Sequence, residues 1–232
     1  MFPLGDDIAR GLRYPGVFLL IVVLVGGEGL QWWLGVDFLA FAGFRPFDFS
    51  IEPWTSALTL ASSVFLHGGI MHLLGNLLFL WVFGRTLEGL FGARNFLLAF
   101  PLLGMAGNLV HWVIYPNSDV PVVGASGAIA ALMGAYFGLF PRARVRMLFW
   151  LAVPLGIWTP KAWLALSIWI ALQLFSVLTG EGEVSGVAYA VHVGGFVVGL
   201  IAAIVWKVQS IAGEEKLEAY LAERKADNSS IR

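Results

Sequence analysis

The chain has 232 residues, of which 59% are hydrophobic and only 12% are charged, and its formal net charge is −1. A soluble domain carries roughly 25% charged residues, so this composition excludes a water-covered surface and indicates a protein covered by lipid. The chain has no excess of basic residues, so its charge gives no indication of nucleic-acid binding. The absence of cysteine excludes disulfides, thiol catalysis and cysteine-bound metals.

Six segments are apolar and long enough to cross a membrane, which takes about 20 helical residues. They cover roughly 15–35, 69–86, 95–114, 122–140, 161–179 and 187–206. The sequence therefore predicts an all-α polytopic membrane protein whose six-helix domain occupies residues 15–206. Residues 1–14 are a predicted cytoplasmic N-terminus, and residues 207–232 are a predicted charged cytoplasmic tail, either helical or disordered.

Two segments between the predicted spans have unusual composition. Residues 36–68 form a long first outer loop that is too polar to span but rich in Phe and Trp, which favours the membrane interface. Residues 147–160 are apolar but short, and Pro154 and Pro160 interrupt them. We expect this second segment to be an irregular, half-inserted connector.

The basic residues predict the orientation of the chain. With the N-terminus in the cytoplasm, 13 of the 14 Lys and Arg residues lie on the cytoplasmic side, and only Arg45 lies outside. Cytoplasmic loops carry such an excess of basic residues. The first apolar segment lacks a small-residue cleavage site, so we expect a retained helix, and the lack of a transit-like N-terminus favours a bacterial cytoplasmic membrane.

Small residues recur one helical turn apart in two of the predicted spans. Gly127, Ala131 and Gly134 lie in the fourth span, and Gly195 and Gly199 form a GxxxG step in the sixth. Such spacing lets two helix backbones approach closely in lipid. The fourth and sixth helices are therefore predicted to contact each other directly.

Four polar residues lie at similar depths inside the predicted spans, where polar groups are costly and usually functional. At 1.5 Å per helical residue, His72, Ser126 and His192 lie about 20, 24 and 22 Å above the nearest cytoplasmic basic residue. Asn76 lies one turn below His72 on the same helix face. Because this layer holds no carboxylate, it predicts a Ser–His dyad in which the His activates the Ser hydroxyl.

These residues also have ordinary structural explanations. A lone transmembrane Ser usually bonds to its own helix, and a lone Asn can join two helices. The agreement in depth of four such groups favours a common site instead. Two further residues receive structural interpretations only: His111 is predicted in an interfacial aromatic belt, and Glu28 at a helix end near water or headgroups.

Three motifs in this chain resemble those of the rhomboid proteases. The Gly-Ala-Ser-Gly sequence at 124–127 resembles their GxSG motif, and residues 67–76 resemble their second-helix HxxxN signature with its upstream His. The His-Val-Gly-Gly-Phe sequence at 192–196 resembles their sixth-helix His followed by glycines. The likeness covers about residues 50–206 and implies a six-transmembrane-helix rhomboid-like bundle with a long interfacial first outer loop.

The resemblance implies an intramembrane serine endopeptidase that cleaves membrane proteins in or near their transmembrane segments. Ser126 would be the nucleophile and His192 the general base. His72, Asn76, Gly124 and the backbone N–H of Ser126 would form the oxyanion hole. The implied partners are transmembrane protein substrates and the lipid bilayer, and the implied chemistry needs neither a metal nor a cofactor.

Two features depart from the pattern of the family. The Trp-Arg pair that many members carry in the first outer loop is not evident, since Trp54 and Arg45 stand apart. One turn after the nucleophile, where some members place a Tyr against the catalytic His, this chain has Ala130. The second departure leaves open what holds the His192 ring.

Two other functions remain open at this point. One is a catalytically inactive rhomboid-like protein that binds membrane helices, which the presence of both Ser126 and His192 disfavours. The other is a small transporter or channel lined by the polar layer. Such proteins typically have inverted repeats and paired broken helices at the midplane, and the sequence shows neither.

Overall fold

The computed structural model describes residues 2–9, 13–35, 37–151, 153–182, 186–209 and 211–230. Its helices, which we number α1 to α11, are Pro15–Leu34, Asp37–Ala42, Pro46–Ile51, Pro53–Ser62, Ile70–Phe79, Arg85–Phe91, Ala93–Ile114, Ser126–Leu139, Ala162–Leu178, Tyr189–Gln209 and Ile211–Ser230. A 3-10 turn, Ser63–Phe65, follows α4, and a π-helical turn, Leu80–Gly84, joins α5 to α6 in one continuous helix.

The helices confirm the predicted multi-pass membrane protein. In the described part of the chain, four helices are long and apolar enough to cross a membrane: Pro15–Leu34, Ile70–Phe91, Ala93–Ile114 and Tyr189–Val208. Two shorter apolar helices, α8 and α9, match the other two predicted spans.

Helix α8 is shorter than the span predicted for it, because it begins at Ser126 rather than near residue 122. Gly124, with φ of +133°, turns the chain just before the helix starts. The 14 residues of α8 rise only about 21 Å, against roughly 30 Å for the hydrocarbon core. Ser126 therefore begins its helix inside the bundle instead of at a membrane surface.

The predicted contact between the fourth and sixth transmembrane helices is confirmed. A Cβ atom built at Gly199 would lie 1.8 Å from the carbonyl oxygen of Ala131, and one at Gly195 would lie 2.2 Å from that of Gly127. Most of α8 is buried against its neighbours. The absence of side chains at these positions thus fixes how closely α8 and α10 approach each other.

The connector predicted over residues 147–160 is instead a β-hairpin, so the expectation of an irregular segment was wrong. Strands β2 (Val145–Leu151) and β3 (Val153–Trp158) pair antiparallel, and β1 (Phe2–Asp6) pairs antiparallel with β2. The segment is rich in β-branched and aromatic residues, which favour strands. Pro154 lies at the start of β3, where a proline is tolerated.

The predicted cytoplasmic end is closed by buried carboxylates. Asp6 accepts hydrogen bonds from the Thr86 and Tyr136 hydroxyls at 2.5 and 2.9 Å, which ties β1 to the second and fourth transmembrane helices. Glu88 accepts bonds from the backbone N–H groups of Gly16 and Val17, both at 2.7 Å, at the start of α1. The two contacts to Glu88 satisfy backbone donors that a helix start otherwise leaves without partners.

The C-terminal tail is helical over Ile211–Ser230, which agrees with one of the two predicted alternatives. Tyr220 of α11 packs on Phe140, with ring centroids 6.2 Å apart. Its hydroxyl lies within 2.6 Å of where a Cβ of Gly89 would be. Burial raises the pKa of the Tyr220 hydroxyl well above its usual value. Helix α11 is therefore docked beneath the bundle by its apolar face.

The first outer loop consists of α2, α3, α4 and the Ser63–Phe65 turn. Its large apolar side chains are strongly exposed in the isolated chain, with Trp54 at 91% and Phe41 at 80%. Phe44 instead is fully buried and pairs its backbone with Val122, next to the start of α8. This loop therefore contacts the segment that positions Ser126, and its interfacial location remains a prediction.

Candidate active site

The approach to Ser126 depends on a glycine. Gly124 has φ of +133°, and its N–H donates to the Ser63 carbonyl at 2.9 Å. A Cβ at this position would lie only 2.8 Å from Cε1 and 2.9 Å from Nε2 of His72. Glycine thus permits both the backbone turn and the close approach of the His72 ring to the start of α8.

Ser126 and His192 form a hydrogen-bonded pair. His192 Nε2 lies 2.9 Å from Ser126 Oγ, although the two residues are 66 positions apart. The close packing of Gly127 against α10 brings the helices together here, since a Cβ at Gly127 would lie 2.7 Å from Val191 Cγ1. The predicted pairing of these two side chains is therefore present in the fold.

His72 is oriented by its own loop. The N–H of Gly68 donates to His72 Nδ1 at 3.3 Å, so Nδ1 is the acceptor and the ring proton of the neutral imidazole lies on Nε2. This is the nitrogen that faces Gly124. His67 packs edge-on against the ring with centroids 5.4 Å apart. The His72 donor consequently points toward the start of α8.

Asn76 lies one turn further along α5 and is 7% exposed. Its Nδ2 atom is buried and has no hydrogen-bond partner within the described residues. An unpaired amide donor buried in protein costs about 1–3 kcal/mol. Asn76 lines the same cavity as His72 and Ser126.

These side chains line one cavity of about 1170 Å³. The cavity is lined by the polar layer, by the segments 114–124 and 186–191, and by parts of α5, α7, α8 and α9. No group of three or more His, Cys, Asp or Glu residues suited to a metal occurs in the described residues. The cavity is large enough for several residues of an extended peptide.

Two residues beside His192 were not predicted from sequence. His192 Nδ1 lies 2.7 Å from Gln173 Oε1, and the Trp169 ring lies 6.0 Å from the His192 ring at an interplanar angle of 33°. Trp169 and Gln173 are one turn apart on α9, so they share a helix face. A Gln within an apolar predicted span was a signal that could have identified this helix as part of the site.

His111 is 7% exposed, lines the cavity and lies with its ring centroid 5.1 Å from that of Tyr115, and its place in an interfacial aromatic belt stays a prediction. Its helix presents Gly104, Gly107 and His111 on the face that contacts α8 and α10, because these residues are spaced one helical turn apart. Glu28 differs from the expectation. It is buried within α1, on the face that carries Leu24 and Gln31.

A multi-pass helical bundle with a Ser–His pair on the wall of an internal cavity is the architecture of an intramembrane hydrolase or of a non-cleaving relative. Comparison with known proteins supports this class of protein. Residues 54–208 match the family model of the Rhomboid domain, and the chain belongs to the rhomboid family. This membership supports an intramembrane protease or a rhomboid-like function.

Several characterised proteins are similar to this chain. Rhomboid protein 1 of Saccharomyces cerevisiae, a mitochondrial protein, is 35% identical over 153 residues, or 63% of this chain and 41% of the relative. The mitochondrial RHOMBOID-like protein 12 of Arabidopsis thaliana is 32% identical over 220 residues, or 85% of this chain and 59% of the relative. Rhomboid protease GluP of Bacillus subtilis is 40% identical over 76 residues, or 33% of this chain and 14% of the relative. The chain therefore spans less than two thirds of the length of each of these relatives.

Proposed function

We propose that this chain is a serine endopeptidase that hydrolyses a peptide bond in or near the transmembrane segment of membrane protein substrates. The observation that carries the proposal is the 2.9 Å contact between Ser126 Oγ and His192 Nε2 on the wall of the cavity. A hydroxyl is a poor nucleophile until a neighbouring base takes its proton. Ser126 is accordingly the nucleophile and His192 the general base.

The reaction proceeds by acyl transfer. His192 Nε2 takes the Ser126 proton as Oγ bonds to the scissile carbonyl carbon, and the proton then passes to the leaving amine. Water, activated by the same His192, hydrolyses the resulting ester and restores the hydroxyl. The loop segment 114–124, which lines the cavity, supports access of water to this point.

The negative charge that develops on the carbonyl oxygen needs donors already in place. Three are available. His72 Nε2–H faces Gly124, and Asn76 Nδ2 is buried without a partner among the described residues. Ser126 is the first residue of α8, and the first N–H groups of a helix have no partner inside it. We assign these three groups to the oxyanion hole, with Gly124 leaving room for the oxygen.

The substrate must present its backbone in extended form, because a membrane helix engages its own peptide groups in hydrogen bonds. Substrate segments near the outer end of a helix that contain Gly, Pro or polar residues open most easily. The orientation inferred from basic residues places the loop around Asp119, which lines the cavity, on the outer side and both termini in the cytoplasm. A bacterial cytoplasmic membrane remains a sequence-based prediction, since the similar proteins come from mitochondria as well as Bacillus subtilis.

Purified protein in detergent with a single-span membrane substrate tests the proposal. The wild type should cleave the substrate and react with a serine-directed fluorophosphonate, whereas Ser126→Ala should do neither. Ser176→Ala changes another hydroxyl on the cavity wall and should retain labelling, which assigns the label to Ser126.

His192→Ala should be nearly as severe as Ser126→Ala. The double variant should be no worse than either single variant, because members of one catalytic unit fail together. Full cleavage by Ser126→Ala would refute the protease proposal. A wild type that binds the substrate but neither cleaves it nor reacts with the fluorophosphonate would identify a non-cleaving rhomboid-like protein.

A further inference from the structure

The pair formed by Ser126 and His192 requires control of the His192 ring. A neutral imidazole carries its proton on either Nδ1 or Nε2, and only the tautomer protonated on Nδ1 can accept the Ser126 proton. In serine hydrolases with a third member, a buried group bonded to Nδ1 holds that tautomer. The sequence indicated no carboxylate at this depth, so another group must select the tautomer.

We propose that Gln173 is a positioning residue that holds His192 in the base-competent tautomer through its side-chain carbonyl. Gln173 Oε1 lies 2.7 Å from His192 Nδ1, on the opposite side of the ring from Ser126. A carbonyl oxygen can only accept, so Nδ1 donates to it and Nε2 is left with its lone pair facing Ser126 Oγ. The inference rests on the protease function proposed above.

The hydrogen bonds then run in a single direction through the three residues. Ser126 donates to His192 Nε2, and His192 Nδ1 donates to Gln173 Oε1. The reverse arrangement, with the Gln173 amide N–H donating to Nδ1, would place a proton on Nε2 and prevent His192 from acting as the base. After proton transfer, the Gln173 carbonyl also accepts a bond from the charged ring, and bonds to charged groups are the stronger ones.

Trp169 completes the support of the His192 ring. Its ring lies beside that of His192 at 6.0 Å, and Tyr189 approaches edge-on at 6.2 Å and 87°. Trp169 and Gln173 project from one face of α9, so a single helix provides both packing on the ring and a hydrogen bond to its edge. This arrangement occupies the role left open by Ala130.

The alternative role for Gln173 is direct binding of substrate, since its side chain also lines the cavity. The two roles predict different kinetics. A residue that acts through His192 lowers kcat and the rate of Ser126 acylation while KM stays nearly constant. A residue that only binds substrate raises KM and leaves kcat unchanged.

The test compares Gln173→Leu and Gln173→Glu with the wild type. Leu cannot accept a hydrogen bond, whereas the Glu carboxylate can accept one from Nδ1. Loss of a bond to a charged group costs about 10- to 100-fold in rate. We expect Gln173→Leu to lower kcat and fluorophosphonate labelling by about that factor, with KM within about twofold of the wild type. Gln173→Glu should recover most of the loss.

Leu172→Ala is the matched control, because Leu172 is the neighbouring residue of α9 and is 56% exposed to the surroundings of the bundle. It should behave as the wild type, and thermal unfolding of each variant reports on folding. Unchanged kcat in folded Gln173→Leu, a change confined to KM, or failure of Gln173→Glu to recover activity would each overturn the positioning role. A wild type without labelling or cleavage would instead overturn the protease function itself.

Discussion

Gly124→Ala is predicted to remove activity by displacing His72. The new Cβ would lie 2.8 Å from His72 Cε1 and 2.9 Å from Nε2, which is closer than real Cβ contacts allow. The His72 ring has to move, and its Nε2–H then no longer points at the oxyanion position. Loss of one such donor costs about 10²–10³ in kcat, or about 2.7–4 kcal/mol. Cleavage of a membrane substrate in detergent measures this loss.

The same substitution also strains the backbone, because φ at Gly124 is +133°, and such strain costs of order 1–3 kcal/mol. Gly35→Ala separates the two effects. Gly35 has φ of +92°, but a Cβ there meets nothing within 4 Å. Both variants should lose stability in thermal unfolding, and only Gly124→Ala should lose the large factor in kcat. Near-wild-type kcat for a folded Gly124→Ala would refute the assignment of His72 to the oxyanion hole.

Three further outcomes follow from the structure. Asn76→Ala should lower kcat by about 10²–10³ while fluorophosphonate titration still counts one reactive Ser, and an unchanged kcat would exclude its amide from the oxyanion hole. Gly199→Ala should lower the unfolding free energy by about 1–3 kcal/mol, and Gly29→Ala, which has open space, should not. Cys introduced at Asp119 should react with an impermeant thiol reagent from outside, and Cys at Arg144 should not; the reverse would invert the predicted orientation.

The sequence was sufficient to predict that Ser126 and His192 lie close together, because the depth of a residue in a membrane follows from its position along a helix. Each helical residue rises 1.5 Å, so the distances of His72, Ser126 and His192 from the nearest cytoplasmic charge placed them at one level. The structure brings Ser126 and His192 to 2.9 Å. The contact between α8 and α10 was equally predictable, because small residues one turn apart have a direct steric consequence.

The features that the sequence did not predict depend on how each helix is rotated about its axis and on which distant segments of the chain pair with each other. The depth of a residue does not show which way its side chain faces around the helix axis. Gln173 and His111 therefore could not be assigned to the cavity wall from their positions along the chain. The pairing of β2 with Phe2–Asp6 could not be predicted because the two strands lie far apart in sequence, whereas the hairpin of β2 and β3 was missed although its residues favour strands. Glu28 was assigned to a helix end because its flanking glycines resemble a break, yet α1 continues through it.

The short length of α8 connects the fold to the proposed chemistry. A helix that spanned the membrane fully would enclose Ser126 within its own turns, and its backbone N–H would be bonded inside the helix. Because α8 begins at Ser126, that N–H lies at the positive end of the helix dipole, where a developing negative charge is stabilised. The same late start leaves residues 115–123 as an irregular segment that lines the cavity rather than as helix. Hydrolysis needs water at a depth where lipid excludes it, and irregular backbone at that depth is tolerated only where it is buried in protein or lines a water-filled cavity. Under the proposed protease function, the short length of α8 would therefore supply an oxyanion donor and a path by which water reaches the Ser126 hydroxyl.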